Sequence, residues 1–114
     1  MKIEKFEDII SWQKARELTK NIYKVFRSNR DYGFRDQIQR ASVSIMNNIA
    51  EGFERKGNKE LKNFLFISKG SCAEVRSMIY LAYDLQYITK SEFDYWLLET
   101  DDIARLLSGF IKTL

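Results

Sequence analysis

The fold class predicted by this sequence is all-α, an antiparallel up-down-up-down four-helix bundle, and three observations predict it. Among 114 residues there is no proline and there are only five glycines; helix interiors exclude both, whereas loop-rich β folds use them freely at turns. Apolar residues recur at alternating three- and four-residue intervals in four successive stretches, the spacing that lines one side of a helix. The breaks between stretches are short, and short connections between long helices make neighbours antiparallel. With 45% hydrophobic and 31% charged residues the composition is globular, and residues 1–114 read as a single domain able to bury its own core.

The first helix is expected from about Phe6 to Ser28, with Ala15, Leu18, Ile22 and Val25 on its inner stripe and Lys14, Lys20, Lys24 and Arg27 on the opposite, polar side. Ser28–Gly33 is a turn cluster that ends it. The second helix spans about Phe34 to Glu54; Ile38, Ala41, Ile45, Ile49 and Phe53 face inward. Small neighbours (Ala41, Ser42, Ala50, Gly52) allow another helix to approach closely. Arg55-Lys56-Gly57-Asn58 breaks it, with Gly57 suited to a left-handed cap.

The third helix begins near Asn58, a capping residue, and runs to about Tyr87. Leu61, Phe64, Ser68, Ser71, Val75, Met78, Ala82 and Leu85 mark its seam. A helix of about 42 Å outruns a neighbour of about 20 residues, so an overhang or a bend at Gly70-Ser71 is expected. Thr89-Lys90-Ser91-Glu92 forms the last turn, capped by Thr89 or Ser91. The fourth helix covers about Glu92 to Lys112, with Phe93, Trp96/Leu97, Thr100, Ile103/Ala104, Leu107 and Ile111 inside.

Several chemistries are argued against. Without any histidine the chain lacks the commonest general base and metal ligand, including the Glu-x-x-His pairs of di-iron bundles. The single cysteine, Cys72, forms no intrachain disulfide and supplies no zinc set; it reads as a small buried hydrophobe in a reducing, cytoplasmic setting. No Walker loop or dinucleotide fingerprint is present. The expectation is therefore no enzyme, no cofactor and no metal. A carboxylate-only metal site from Glu51, Glu54 and Glu74 is the one enzyme-class alternative. The N-terminal MKIEKFEDII lacks the apolar run of a signal peptide, and no stretch approaches the roughly 18 apolar residues of a membrane span.

The net charge of +3 is unevenly placed: residues 1–76 carry 16 Lys/Arg against 10 Asp/Glu, residues 77–114 carry 3 against 6. Such a chain suits an anionic partner or head-to-tail self-association. On the outside of the third helix, Lys62, Phe66, Lys69, Ala73, Arg76, Tyr80 and Tyr87 gather opposite the seam. Basic residues interleaved with rings suit an oligomer interface, a nucleic-acid platform, or plain surface. Sixteen aromatics exceed what four seams absorb, which favours a homo-oligomer. Trp12, Phe66, Tyr80 and Tyr87 are its candidate interface residues, although core packing is the default for Trp12 and Trp96. Asn48 points partly inward, either as a register-fixing amide or as an edge residue bonded to a neighbouring backbone.

At the second helix the pattern Gln37-Ile38-x-Arg40-Ala41-Ser42-x-Ser44-Ile45-x-x-Asn48-Ile49-Ala50-Glu51-Gly52 resembles the signature of the bacterial four helix bundle proteins encoded in intervening sequences of 23S rRNA genes, also labelled ribosomal-protein-like. Trp12-Gln13-x-Ala15 precedes it, and Glu60-x-x-x-Phe64-Leu65-x-Ile67-x-x-Gly70-Ser71-x-x-Glu74 follows it. The resemblance covers nearly the whole chain. It implies antiparallel bundles that assemble into rings, notably pentamers. One branch resembles the accessory protein of diversity-generating retroelements, which binds a reverse transcriptase and nucleic acid. Carried over, Asn48, Glu51, Gly52, Gly70, Ser71 and Glu74 are implied to make packing and interhelix polar contacts.

The resulting functional expectation is a non-enzymatic, oligomeric bundle that scaffolds an RNA- or DNA-associated assembly. Arg40, Arg55, Lys56, Lys62, Lys69 and Arg76 are its candidate nucleic-acid-binding residues. The alternative is a protein-interaction module whose basic-aromatic face serves only self-assembly, with copies of itself or another protein as partner and no membrane.

Overall fold

The computed structural model describes residues 2–114. A short 3-10 turn (Phe6–Asp8) leads into four helices: α1 (Ile10–Phe26), α2 (Tyr32–Glu54), α3 (Asn58–Asp84) and α4 (Lys90–Lys112). Consecutive helices run antiparallel, α1 also packs on α4, and the diagonal pairs make no close backbone approach. This is the expected bundle, 42 Å long and 22 by 19 Å across. Among the described residues no helix is long and apolar enough to cross a membrane.

The inner stripes assemble much as their spacing dictates. Ala15, Leu18 and Ile22 of α1, Ile38, Ala41, Ile45 and Ile49 of α2, and Trp96, Thr100, Ile103, Leu107 and Ile111 of α4 are all buried. In α1 the deep position at the far end goes to Phe26, leaving Val25 half-buried. The stripe of α3 differs more. Leu65, Cys72 and Ile79 are buried beside Leu61, Ser68, Val75 and Ala82, whereas Phe64 and Ser71 are half-buried and Leu85 is exposed. α3 packs against both α2 and α4, so its buried arc is wide, and a single narrow stripe drawn through it lies about one residue off centre.

The helix ends follow local chemistry. α1 starts at Ile10 instead of Phe6 because Ile9 adopts an extended backbone, and its buried side chain anchors the entry. Phe6, in the separate turn, meets Trp12 edge-to-face at 5.1 Å. α2 starts at Tyr32, two residues early, where the carboxylate of Asp31 accepts from the Phe34 amide at 3.2 Å. After α2 it is Lys56, not Gly57, that takes the left-handed conformation (φ 64°), while Gly57 is extended and precedes Asn58, the first residue of α3. α4 opens with a full capping box. The Thr89 hydroxyl accepts from the Glu92 amide at 3.1 Å, and the Glu92 carboxylate accepts from the Thr89 amide at 2.8 Å, which satisfies two otherwise orphaned donors.

The long α3 runs unbroken through Gly70-Ser71 and stops at Asp84, three residues short of expectation. Gln86 is left-handed (φ 61°). Its amide donates to Tyr83 O at 2.9 Å and the Tyr87 amide donates to Ala82 O at 2.8 Å, the crossed pair of bonds that terminates a helix. This turn swings Tyr87 back over the end of the bundle, against Phe26 and Phe34 with ring centroids 6.3 and 5.5 Å away. Its hydroxyl donates to Asp31 at 2.7 Å, and that hydrogen bond, first among the causes, raises the Tyr87 pKa.

A left-handed non-glycine residue carries about 1 kcal/mol of backbone strain. Gln86→Gly is therefore expected to raise stability by up to about that amount, read as a higher urea midpoint with an unchanged m-value.

Candidate interaction surfaces

The seam between α2 and α3 is built from small and hydroxyl side chains. At Gly52 the helices come so close that an added Cβ would lie 2.6 Å from the Phe64 Cβ. Further along, the Ser68 hydroxyl, fully buried, donates to Ile45 O at 2.7 Å. Ser44 and Ser71 share a hydrogen bond of 2.9 Å across the seam, and Asn48 donates to both the carbonyl and the hydroxyl of Ser44. Gln37 donates to Glu74 at 3.3 Å. Asn48, a half-buried residue, thus bonds to its own helix and reaches α3 through the serine pair. The same device joins α1 to α2, where the Thr19 hydroxyl lies 2.7 Å from Ala15 O and 3.1 Å from Ser42 O.

Two of the motif residues behave differently. Among the described residues Glu51 has no interhelix hydrogen bond or ion pair; it pairs with Arg55 one turn along its own helix at 3.0 Å. Gly70 is exposed, and a Cβ built on it meets nothing within 4 Å. A glycine inside a helix costs stability, and no neighbour within this chain requires this one.

A groove of about 600 Å³ opens on the outside of this seam, lined among others by Asp36, Gln37, Arg40, Ser44, Ser71 and Glu74. Two carboxylates against one guanidinium make it a poor receptacle for phosphate. Nor are the carboxylates arranged for a cation: among the described residues no group of three His, Cys, Asp or Glu side chains converges. Glu51, Glu54 and Glu74 are not brought together.

The six basic residues singled out in the sequence do not form one surface. Arg40 lines the groove just described. Arg55 is paired with Glu51 and lies over the Phe64 ring at 5.2 Å, and Lys56 lies over Phe53 at 5.9 Å near the end of α2. Lys62 and Lys69 are half-buried and share a side of α3 with Arg76. Arg76 is used internally: its guanidinium donates to Leu97 O at 3.1 Å and to the Thr100 hydroxyl at 3.3 Å, tying α3 to α4. That structural role was not legible from its place in a basic, aromatic run.

The candidate interface residues divide in the same way. Trp12 is buried in its own chain, and Tyr87 is held at the bundle end by Asp31 and the Phe26–Phe34 pair. Phe66 and Tyr80 are about half exposed, together with Ile67 and Leu81, which the sequence pattern had not marked. With Gly70 and Ala73 between them, these four lie along the outside of α3, where the exposed Glu74 and Ser77 interrupt the apolar surface. Tyr80 also leans edge-to-face on Phe93 of α4 at 5.4 Å.

Cys72 lies inside, its thiol 3.3 Å from Thr100 O. Burial raises its pKa to about 11, against the opposing pull of Arg76. The thiol is thus protonated at neutral pH and a poor nucleophile.

Two expectations follow from this packing. Gly52→Ala forces Phe64 aside and is expected to cost about 1–3 kcal/mol in urea unfolding. Cys72 is expected to resist alkylation at neutral pH in the native protein and to react at the rate of opening, so labelling accelerates with denaturant.

In comparison with known proteins, a family model described as "23S rRNA-intervening sequence protein" matches residues 7–109. No curated protein matches the chain. Among solved structures, a protein of unknown function from the S23 ribosomal protein family of Bacteroides thetaiotaomicron is similar, with a TM-score of 0.82 and 22% identity over 90% of this chain and 96% of that one. At that identity the likeness is one of fold.

Proposed function

The chain belongs to the 23S rRNA-intervening sequence protein family, and on that premise we propose that it is a non-enzymatic bundle whose copies assemble into a scaffold for a nucleic-acid-associated complex. The observation that carries this reading is the outer stripe of α3. Phe66, Ile67, Tyr80 and Leu81 are 51%, 52%, 47% and 47% exposed, and they flank small residues at Gly70 and Ala73. Large rings at both ends with a small-residue waist between suit a helix of a second copy, approaching closely at the waist. Four large apolar side chains left about half exposed on one side of a helix mark a surface suited to a partner. A ring, pentameric in the resemblance, is one way to use it.

The absence of a catalytic role is part of the proposal and rests on chemistry: no histidine in the chain, a protonated buried thiol, and carboxylates that are paired or dispersed. A second reading, self-assembly with no nucleic acid, draws on the scatter of Arg40, Arg55, Lys56, Lys62, Lys69 and Arg76 over separate surfaces.

Mass measurement in solution tests the assembly. The wild type is expected at a multiple of 13.6 kDa, and Phe66→Glu/Leu81→Glu is expected to give the monomer with an unchanged helical circular dichroism spectrum. A monomeric wild type at micromolar concentration would overturn it.

A further inference from the structure

The ion pairs that form within the helices mostly follow one habit, opposite charges three or four residues apart. Arg55 meets Glu51, Lys90 meets Asp94, and Arg105 meets Asp101 and Asp102. The outer side of α1 breaks the habit. Arg16, Lys20 and Lys24 succeed one another at intervals of four, Arg27 follows three residues later, and all four are exposed. At 100° per residue they occupy an arc of about 80°, along a ridge about 16 Å long. Like charges at this spacing repel and weaken the helix that carries them.

Little in the chain compensates the repulsion. Among the described residues the ridge makes one ion pair, Glu17 with Lys20 at 2.9 Å, and Glu92 of α4 lines a groove together with Lys24 without pairing to it. Arg16 lies over the face of Trp12 at 5.5 Å. Among the described residues neither Arg16, Lys24 nor Arg27 has an ion-pair partner. The carboxylates of α4 are met by Lys14, which lies between Glu99 and Asp102 at 3.9 and 3.8 Å and sits about 120° around the helix from Lys20. The helix dipole favours cations in the last turn, which accounts for Lys24 and Arg27. It does not reach Arg16 or Lys20. Between Lys20 and Arg27 stands Tyr23, 43% exposed.

We propose that this α1 ridge is the docking surface for single-stranded nucleic acid, its four cations neutralising successive phosphates while Tyr23 receives an unpaired base. The proposal deepens the nucleic-acid part of the reading above and is independent of how copies associate. Cations aligned along a helix track a phosphate backbone, and an exposed ring among them offers a stacking platform to any base. A duplex would leave the ring without a partner. A membrane surface would call for several apolar anchors on the same side, whereas Gln13 and Glu17 occupy it here.

The probe is a fluorescent oligouridylate of about 20 nucleotides, followed by anisotropy. Binding is expected to weaken with salt at a logarithmic slope of about −3, the value for roughly four phosphate contacts on a single strand. Replacing the four cations together (Arg16→Gln, Lys20→Gln, Lys24→Gln, Arg27→Gln) is expected to lower affinity at least about tenfold and to flatten the slope towards zero. Lys24→Gln/Arg27→Gln, a milder change, should remove about half of it. Tyr23→Ala is expected to weaken binding without changing the slope. Arg40→Gln/Lys62→Gln/Lys69→Gln should leave both affinity and slope as in the wild type.

No binding by the wild type at low salt overturns the proposal. So does retention of binding by the quadruple variant, or equal binding to phosphatidylserine vesicles, which would make the ridge a lipid surface. If the quadruple variant instead changes the mass of the assembly, the ridge is a contact between copies and the proposal fails. Mass and anisotropy are read on the same samples. A monomer that binds the oligonucleotide therefore removes only the assembly reading, and an assembly that does not bind removes only this one.

Discussion

The close approach of α2 and α3 is the constraint on which the rest of the bundle depends. Gly52 has no side chain to hold Phe64 away, and further along the seam Ser44, Ser68 and Ser71 stand beside the buried Leu61 and Leu65. Bringing two helices this close exposes backbone carbonyls to a neighbour, and a buried carbonyl is best used where a hydroxyl reaches it. Ser68 does this for Ile45, and the Ser44–Ser71 pair, steadied by Asn48, spans the seam nearby. These bonds have direction, so they set the rotation of α3 about its axis as well as its distance. Apolar packing alone tolerates more sliding.

Once α3 is fixed on α2, its other contacts and its exposed side are determined together. Arg76 and Cys72 reach Leu97 and Thr100 of α4, so α4 is held on the opposite flank. What remains facing outward is the stripe from Phe66 to Leu81. The exposure of that stripe is therefore a consequence of the seam, and it separates a basic residue used as a strut from rings left without cover. The two ends of the bundle are closed by different means: Phe6 on Trp12 at one, and Tyr87 with Asp31, Phe26 and Phe34 at the other.

Charge is distributed according to the same geometry. Lys14 is drawn towards the α4 carboxylates, including the buried Glu99, and Arg105 is paired within α4. Arg16, Lys20, Lys24 and Arg27 are left together on the exposed side of α1. The six cations first picked out by their aromatic neighbours are spread among a mixed-charge groove (Arg40), an intrahelical pair (Arg55), a loop (Lys56), a side of α3 (Lys62 and Lys69) and a strut (Arg76). A basic residue beside a ring in sequence says little about either one's environment, because residues adjacent in a helix point about 100° apart.

The helices themselves, their order and their pairing followed from the sequence, as did the inner stripes of α2 and α4, because a helix with one broad apolar side has only one way to turn it inward. The cap at Thr89 was legible for a similar reason: its chemistry is local. Tertiary structure decided what depends on two neighbours at once. It rotated the seam of α3 onto Leu65, Cys72 and Ile79 because that helix serves two partners, stopped it at Gln86 to bring Tyr87 over the bundle end, and turned Arg76 inward to α4. It also left Gly70 without a neighbour and, among the described residues, Arg16, Lys24 and Arg27 without an ion-pair partner, with Lys20 met only by Glu17. Spacing along a chain reports which residues share a side of a helix; only the packed bundle determines whether that side meets a partner or water.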